Sequence, residues 1–218
     1  MALIPFDDRD GLIWLNGEMV EWRDAKTHTL SHGLHYASLV FEGERAYGGT
    51  IFAGADHTDR LRASSQMLDF DIPYSNEEVD AAKMAVLAAN NISDGYLRAF
   101  CWRGSEMMAI SAQQTKTHVA IAAWEWPSYF DPETKMRGIT LDIAKWKRPS
   151  PESAPVHAKA AGLYKPVLVN DGVASFSGHL PIGIDGKMIT GRVGVDLTVE
   201  EGSRAARQVG LNILSSLR

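Results

Sequence analysis

The stretch S-A-P-V-H-A-K-A-A-G-L-Y at residues 153–164 places Lys159 among small side chains. Ala158, Ala160 and Gly162 lie close to it in sequence, so a flat ligand could approach the amine. A lysine that loses hydration in such surroundings has a lowered pKa and becomes a better nucleophile. That property suits a lysine that condenses with a carbonyl carbon. A solvated loop lysine is the competing interpretation of this stretch taken alone.

The composition bounds the class of protein. The chain has 218 residues, 45% of them hydrophobic, which is enough for one large domain or two small ones. The net charge of −5 and the lack of basic runs argue against nucleic acid and anionic membranes as partners. We expect no signal peptide and no membrane-spanning segment, because no apolar run has the required length or flanks. The single cysteine, Cys101, excludes an internal disulfide and suits a reducing cytoplasm.

Glycine-containing pairs between apolar runs predict a series of antiparallel strands. Asn16-Gly17 predicts a hairpin, because both residues tolerate positive φ, and Gly48-Gly49 predicts a turn after an extended region over residues 38–47. Asp171-Gly172 and Asp185-Gly186 give the same hairpin signal later in the chain. Further strands are expected over residues 50–53, 95–102, 117–124 and 140–146.

Helical periodicity and capping patterns predict three helices. The first is expected over about residues 56–68. Ser75 and Glu78 form a capping-box pattern that predicts the start of the second helix. Thr198 and Glu201 form the same pattern and predict the start of a last helix near the end of the sequence.

Three groups of polar residues admit both a functional and a structural interpretation. His32 and His35 could share a metal in a helix, but no cysteine or carboxylate cluster at ligand spacing accompanies them. Arg60, early in a helix, either binds phosphate or lies on the surface. Tyr96 and Arg98 alternate along a strand and point to one face, where they either contact one carboxylate or decorate the sheet.

Six motifs follow one another along the first three quarters of the chain. They are I-W-L-N-G-E-M-V (13–20), H-G-L-H-Y-A-S-L-V-F-E-G (32–43), the Arg60-Leu61 helix, Y-L-R (96–98), A-A-W-E-W (122–126) and A-K-A-A-G-L-Y (158–164). Each motif is weak separately, but together they occur in the order and at the spacing of one family. On these motifs, about residues 12–164 closely resemble the branched-chain aminotransferases, fold-type IV enzymes that use pyridoxal 5′-phosphate.

The resemblance implies a role for each matching residue. Lys159 would be the Schiff-base lysine and would shuttle the substrate proton, Arg60 would hold the cofactor phosphate, and Tyr164 would hydrogen-bond the ring hydroxyl. Arg98 would help to accept the distal carboxylate of glutamate, the shared amino donor. The pocket for leucine, isoleucine and valine side chains would be lined by Tyr36, Phe41, Tyr96, Met108, Ile110, Trp126 and Tyr129.

The family also has features that we do not find after Tyr164. Its large domain supplies an acidic residue to the pyridine nitrogen, a second phosphate loop and a turn for the substrate carboxylate. Without the acidic residue, the electron sink of the cofactor is expected to be weaker. Family members form dimers in which the small domain contributes to a neighbour's pocket, so the resemblance also implies a homo-oligomer.

The last part of the chain carries a different set of motifs. They are G-L-Y-K-P-V-L-V (162–169), S-G-H-L-P-I (177–182), G-K-M-I-T-G-R-V-G-V-D-L-T-V-E-E-G (186–202) and A-A-R-Q-V-G-L (205–211). On these motifs, about residues 162–218 resemble the N-terminal half of the Rid family of enamine/imine deaminases. The arginine with which that family binds the substrate carboxylate is absent. We therefore interpret the chain as a composite, with an aminotransferase-like small domain at 1–150 and a lysine-bearing connector plus truncated Rid-like half domain at 151–218.

The predicted fold class is α+β: an antiparallel-sheet small domain with two helices, followed by a short, incomplete second domain of strands and a helix. The predicted function is transamination of branched-chain amino acids, with 2-oxoglutarate as amino acceptor. One alternative is a non-catalytic oligomeric binding or assembly protein, since an incomplete domain leaves strand edges and apolar surface unpaired. Another is Rid-like deamination of 2-iminoacids, against which the missing arginine counts.

Overall fold

The computed structural model divides the chain into two compact units and describes most of the first unit. The described residues are 4–126, 132–138, 141–142, 149–163, 168–170, 173–175 and 196–216. The two units are Met1–Pro127 with Pro149–Tyr164, and Ser128–Arg148 with Lys165–Arg218. The composite origin of the chain and the boundary near residue 150 stay predictions.

The first unit is built on an antiparallel sheet. Among the described residues it has seven strands in the order β2-β1-β7-β6-β4-β5, and β3 pairs with β6 beside β4. The long strands β6 and β7 form the centre of the sheet. β1 pairs with β7, and β3 and β4 both pair with β6. The strands are β1 (Leu12–Leu15), β2 (Glu18–Glu21), β3 (Leu39–Phe41), β4 (Glu44–Tyr47), β5 (Thr50–Ile51), β6 (Gly95–Arg103) and β7 (Thr117–Trp124).

Two helices, α2 (Gly54–Gln66) and α3 (Asn76–Ala89), cover one face of this sheet. Leu61 of α2 and Val86 of α3 are fully buried against Leu97 of the central strand β6. Side chains alternate between faces along a strand, so the neighbours of Leu97 in sequence point away from the helices. The opposite face of β6 is therefore available for a site. A short helix, α1 (His32–Tyr36), precedes β3.

The local turn and capping predictions are confirmed. Asn16 and Gly17 both have positive φ, at 53° and 102°, and join β1 to β2 in the predicted hairpin. Ser75 Oγ accepts a hydrogen bond from the Glu78 N–H, and Glu78 Oε2 accepts one from the Ser75 N–H, which completes the capping box of α3. Such local signals depend on few residues and on nothing distant in sequence.

Two predicted boundaries in the first unit were wrong. The extended region over residues 38–47 is interrupted at Glu42 and Gly43, where the Glu42 N–H donates to the Ala99 carbonyl at 2.7 Å. The strand predicted over residues 50–53 ends at Ile51, because Ala53 adopts a left-handed conformation, with φ of 51°, and caps a helix that begins at Gly54. The break at Glu42 directs that carboxylate into the interior.

The described part of the second unit contains three short strands and two helices. β10 (Val173–Ser175) pairs antiparallel with β9 (Leu168–Asn170) and parallel with β8 (Leu141–Asp142). The helices are α4 (Pro132–Arg137) and α5 (Val199–Ser216).

The capping box predicted for the last helix is confirmed by reciprocal bonds between Thr198 and Glu201. Asp171-Gly172 and Asp185-Gly186 lie outside the described residues. The α+β fold class is confirmed by an antiparallel sheet with helices packed on one face. Among the described residues, no helix has the length and apolar character needed to cross a membrane.

Candidate active site

Lys159 is fixed by its backbone between α2 and β3. Its N–H donates to Ser64 Oγ at 2.9 Å, and its carbonyl accepts a hydrogen bond from the Phe41 N–H at 3.1 Å. The next residue, Ala160, forms an antiparallel bridge with Val40. These contacts make the lysine a short extension of the sheet and set the direction of its side chain.

A buried carboxylate, Glu42, gathers three cationic or cation-forming side chains. Its side chain has 0% exposure and accepts hydrogen bonds from Arg60 Nε and Nη2, each at 2.6 Å. His57 Nδ1 lies 2.7 Å from Glu42 Oε2, and Lys159 Nζ lies 3.6 Å from the same oxygen. His57 and Arg60 are three residues apart on α2, so they share one face of that helix. We call Glu42, His57, Arg60 and Lys159 the Glu42 cluster.

The neighbours of Glu42 keep it ionised despite its burial. Burial alone would raise the pKa of this carboxyl, but hydrogen bonds from Arg60 and His57 and the nearby Lys159 charge outweigh it and lower the pKa to about 2. A buried carboxylate that accepts hydrogen bonds and lies close to positive charge is stabilised in its charged form. Glu42 therefore acts as a fixed negative charge within the cluster at neutral pH.

The Lys159 amine is the most promising nucleophile of the cluster. Burial lowers its pKa, Glu42 opposes that effect, and the positive charges of Arg60 and Arg98 add to it. The Lys159 side chain is 21% exposed, so the amine is still accessible. A lowered pKa increases the fraction of neutral amine, which is the form that attacks a carbonyl.

A cavity of about 530 Å³ lies on the face of the sheet opposite to α2 and α3. Lys159 Nζ is 5.7 Å from the centroid of the Phe41 ring, which forms part of the cavity wall. The Arg98 guanidinium lies 4.5 Å from the same ring centroid and supplies positive charge to a mainly apolar surface. The lining residues are Phe6, Leu39, Phe41, Arg98, Phe100, Trp124, Trp126 and Ala161.

Tyr96 stands beside this cavity, against Trp124 and Trp126. Its ring centroid is 4.9 Å from that of Trp124 and 5.1 Å from that of Trp126. A Cβ at Gly43 would lie 2.3 Å from the Tyr96 hydroxyl, so only glycine permits the tyrosine to approach the backbone there. The break between β3 and β4 thus lets Glu42 join the cluster with α2 and lets the Tyr96 ring lie beside the cavity.

The structure separates the predicted site residues into groups. Lys159 and Arg60 meet in the Glu42 cluster, while Phe41, Tyr96, Arg98 and Trp126 surround the first cavity. Tyr36 and Ile110 line a different cavity of about 590 Å³, and the nearby chain exposes Met108 as well. Tyr129 and Tyr164 lie outside the described residues.

Sequence reasoning missed Glu42, His57 and Phe6. A signal existed for Glu42, since it is the one acidic residue within the apolar run S-L-V-F-E-G. The spacing of His57 and Arg60 indicates a shared helix face, but it does not reveal their common carboxylate. His32, considered as a metal ligand, instead contacts Ser38 Oγ and the Ala109 carbonyl with its two ring nitrogens.

A second buried ionic cluster lies behind the first, between α2, α3 and β4. Lys83 is 0% exposed and places its Nζ 3.0 Å from the Glu44 carboxylate and 2.6 Å from Thr58 Oγ1. Burial raises the pKa of Glu44, and the Lys83 charge opposes that effect. Asp80 Oδ1 also lies 3.3 Å from the Lys83 Nζ. The cluster joins the two helices to the sheet.

The family model for amino-transferase class IV matches residues 39–174, so the chain belongs to the class IV aminotransferases. This range contains the Glu42 cluster and most of the residues that line the first cavity. The predicted relation to branched-chain aminotransferases is confirmed, whereas the Rid-like resemblance of residues 162–218 receives no support from the similar proteins.

Two bacterial relatives show how much of the chain is shared. The chain is 43% identical over 161 residues to the branched-chain-amino-acid aminotransferase of Pseudomonas aeruginosa, covering 72% of this chain and 52% of the relative. It is 38% identical over 157 residues to that of Escherichia coli K12, covering 70% of this chain and 51% of the relative. The chain thus spans about half the length of these relatives.

Solved structures give the same picture. A branched-chain aminotransferase of Escherichia coli superposes with a TM-score of 0.68 and 36% identity, over 72% of this chain and 53% of that chain. The T.th. branched-chain aminotransferase, solved with pyridoxamine 5′-phosphate, has a TM-score of 0.68, 35% identity and the same coverage of 72% and 53%.

Proposed function

We propose that this chain takes part in the pyridoxal 5′-phosphate-dependent transamination of leucine, isoleucine and valine, with 2-oxoglutarate as amino acceptor. The observation that carries the proposal is the placement of Lys159 within the Glu42 cluster and beside an apolar cavity. Burial at this position lowers the pKa of the Lys159 amine. Membership of the class IV aminotransferases supports it. In this proposal Lys159 is the Schiff-base lysine.

The residues present fit the cofactor. Pyridoxal phosphate carries an aldehyde and a phosphate, and the Glu42 cluster offers an amine at Lys159 and a guanidinium at Arg60. Guanidinium groups match phosphate oxygens in geometry and charge. Tyr164, which lies outside the described residues, would hydrogen-bond the ring hydroxyl. When bound, the cofactor supplies the electron sink for bond cleavage at the substrate Cα.

The chain's own residues would then control the proton and the orientation. The Lys159 amine would take the proton from the substrate Cα, since its lowered pKa favours the neutral form. Glu42 would hold the Arg60 guanidinium in position through the Nε and Nη2 hydrogen bonds. One buried carboxylate would thus orient the phosphate-binding group and tune the base.

The first cavity would take the substrate side chain. Phe41, Trp126 and the neighbouring Tyr96 supply apolar walls suited to branched aliphatic groups. Arg98 would contact the distal carboxylate of glutamate or 2-oxoglutarate, as its guanidinium lies over the Phe41 ring at the cavity wall. The proposed small-molecule partners are therefore branched-chain amino acids, glutamate and the corresponding 2-oxo acids.

We also propose a homo-oligomer that works in the cytoplasm. Ile110 is 89% exposed, and Tyr36 and Met108 are exposed near it. Clustered exposed apolar side chains favour contact with another protein surface. In the proposed oligomer, Tyr36, Met108, Ile110 and Tyr129 would contribute to the pocket of a second copy. Cys101 is a buried free thiol, which is compatible with a reducing compartment.

The test is to trap the cofactor. The purified protein is mixed with pyridoxal phosphate, reduced with borohydride, digested and mapped by mass spectrometry, with Lys159→Ala as the matched control. We expect a pyridoxyl mass on Lys159 that decreases when leucine or valine is added before reduction. The absence of selective labelling at Lys159, or transamination that persists in Lys159→Ala, would remove the assignment.

Rid-like deamination of 2-iminoacids stays a prediction from residues 162–218. The similar proteins do not support that resemblance, and most of the motif residues lie outside the described ones. A failure of the protein to accelerate imine hydrolysis would eliminate it. The alternative of a non-catalytic assembly protein draws on the exposed apolar side chains around Ile110. A clean monomer in light scattering would count against both that alternative and the proposed oligomer.

A further inference from the structure

The N-terminal segment at residues 4–10, which we call the strap, contributes an aromatic ring to the first cavity. We propose that Phe6 on the strap limits the size of the substrate side chain that the cavity accepts. This inference rests on the proposed function, because it takes the first cavity as the place where the amino acid side chain binds. It concerns a residue far in sequence from both Lys159 and Arg60.

Phe6 joins an aromatic wall supplied by β7 and the residues that follow it. Its ring centroid lies 5.1 Å from that of Trp124, with the rings at 77°, and 6.4 Å from that of Trp126. Edge-to-face contacts of this kind hold an aromatic ring in a preferred orientation. The ring is therefore positioned at the cavity as part of a packed cluster.

Polar contacts fasten the strap at Phe6 and at two residues that follow it. The Trp22 Nε1–H donates to the Phe6 carbonyl, and Trp22 itself is buried. Arg23 donates from Nε to Asp8 Oδ1 at 2.8 Å and from Nη1 to Asp10 Oδ1 at 2.7 Å. These groups lie just after β2, so the hairpin that begins the sheet also secures the strap. A cation–π contact places the Arg9 guanidinium 3.8 Å from the Phe6 ring centroid.

The exposure of Phe6 explains why it would select by size. Its side chain lines the cavity although the residue is 47% exposed, so the ring lies where the cavity meets solvent. The other aromatic walls at Phe41, Phe100 and Trp124 belong to sheet strands and cannot move easily. Removing the Phe6 ring would enlarge the cavity toward solvent without breaking a strand, and a wider side chain would then fit.

The experiment uses the cofactor-free protein and two carboxylic acids of different width. 4-Methylvaleric acid and 4-phenylbutyric acid are titrated separately, and binding is followed by the change in intrinsic tryptophan fluorescence, to which Trp124 and Trp126 at the cavity contribute. Phe6→Ala is compared with wild type and with Phe52→Ala, which removes an equally large ring that is 69% exposed and does not line the cavity. Phe6→Leu restores part of the bulk, and thermal unfolding shows that each variant is folded.

We expect wild type to prefer the branched aliphatic acid. In Phe6→Ala the ratio of the two dissociation constants should shift toward the aromatic acid by at least ~3-fold, with Phe6→Leu in between and Phe52→Ala like wild type. An equal ratio in Phe6→Ala and Phe52→Ala, or no binding of either acid by wild type, would overturn the inference.

Borohydride trapping of wild type, run in parallel, separates the two proposals. Labelling of Lys159 together with an unchanged ratio in Phe6→Ala would leave the proposed function standing and remove the role of Phe6. A shifted ratio without labelling of Lys159 would remove the proposed function and leave Phe6 as a wall of a site for apolar acids.

Discussion

Lys159 Nζ lies 3.6 Å from Glu42 Oε2, and that same oxygen accepts a hydrogen bond from the Arg60 guanidinium at 2.6 Å. One buried carboxylate therefore links the candidate nucleophile to the candidate phosphate ligand. Burial lowers the pKa of Lys159 while the Glu42 charge raises it, so the protonation of the amine depends on a second residue. Each property of this pair can be measured separately.

Replacing Glu42 with glutamine should lower the pKa of Lys159 further. The substitution removes the charge that favours the ammonium form, while burial and the Arg60 charge, which both favour the neutral amine, remain. The pH at which Lys159 reaches half of its maximal reactivity with an amine reagent should therefore decrease, as read by mass spectrometry of the labelled peptide. Exposed Lys26 serves as the internal standard in each digest. An unchanged or higher half-maximal pH would contradict this account.

The same substitution should remove part of the acid sensitivity of folding. The folded-state pKa of Glu42 is about 2, below the ordinary value of 4.5. Its contribution to stability is thus fully present above pH 4.5 and is lost as the pH falls toward 2. At neutral pH this pKa shift contributes about 3 kcal/mol to the free energy of unfolding.

Urea unfolding of wild type and Glu42→Gln at several pH values measures this term. The free energies of unfolding should differ most at neutral pH and converge in acid. A difference that stays constant from about pH 6 down to about pH 3 would show that Glu42 is not the titrating group.

Arg60 and Arg62 form a matched pair on α2. Arg60 donates to Glu42 in the cluster, whereas Arg62 donates to Asn76 Oδ1 at 2.7 Å and to the Tyr74 carbonyl. The measurement is the yield of borohydride trapping on Lys159 with pyridoxal phosphate, divided by the yield with phosphate-free pyridoxal. We expect Arg60→Ala to lower this ratio by at least ~10-fold, because a charged hydrogen-bond partner of the phosphate is lost. Arg62→Ala should lower the melting temperature and leave the ratio of the two trapping yields unchanged. Equal ratios in both variants would refute a phosphate role for Arg60.

Lys83 should matter for stability rather than for chemistry. Truncation in Lys83→Ala leaves the buried Glu44 carboxylate without its cation, and such a change costs about 3–5 kcal/mol. Replacing exposed Lys116 with alanine should change the free energy of unfolding by less than ~0.5 kcal/mol. Urea unfolding gives both values, and a similar small effect at both sites would mean that the Lys83 ion pair contributes little.

The parts of the fold that sequence could predict are those encoded by neighbouring residues. The hairpin at Asn16-Gly17 and the capping box of Ser75 and Glu78 need only a few consecutive side chains. The break at Glu42 could not be predicted in this way, since S-L-V-F-E-G-E-R-A-Y has the composition of a continuous strand. Its cause is the packing of that carboxylate against residues of α2.

The same reason explains which site residues sequence reasoning found. Lys159 and Arg60 were predicted from their types and from a family pattern, and their common contact with Glu42 required the folded chain. Phe6 gave no signal at all, because an aromatic residue near a chain's beginning has no periodic partner. Trp124, against which its ring packs, is more than a hundred positions away.

Backbone contacts fix the position of the Lys159 amine. Lys159 is hydrogen-bonded to Ser64 and Phe41, and Ala160 forms a bridge with Val40. An extra residue inserted in the 149–157 segment could loop out and leave the position of the amine unchanged. An extra residue between Lys159 and Ala160 would slip the pairing by one position and turn the amine toward the opposite face. The segment before Lys159 can therefore tolerate insertions and deletions, whereas the spacing between Lys159 and Ala160 is fixed by the pairing with β3.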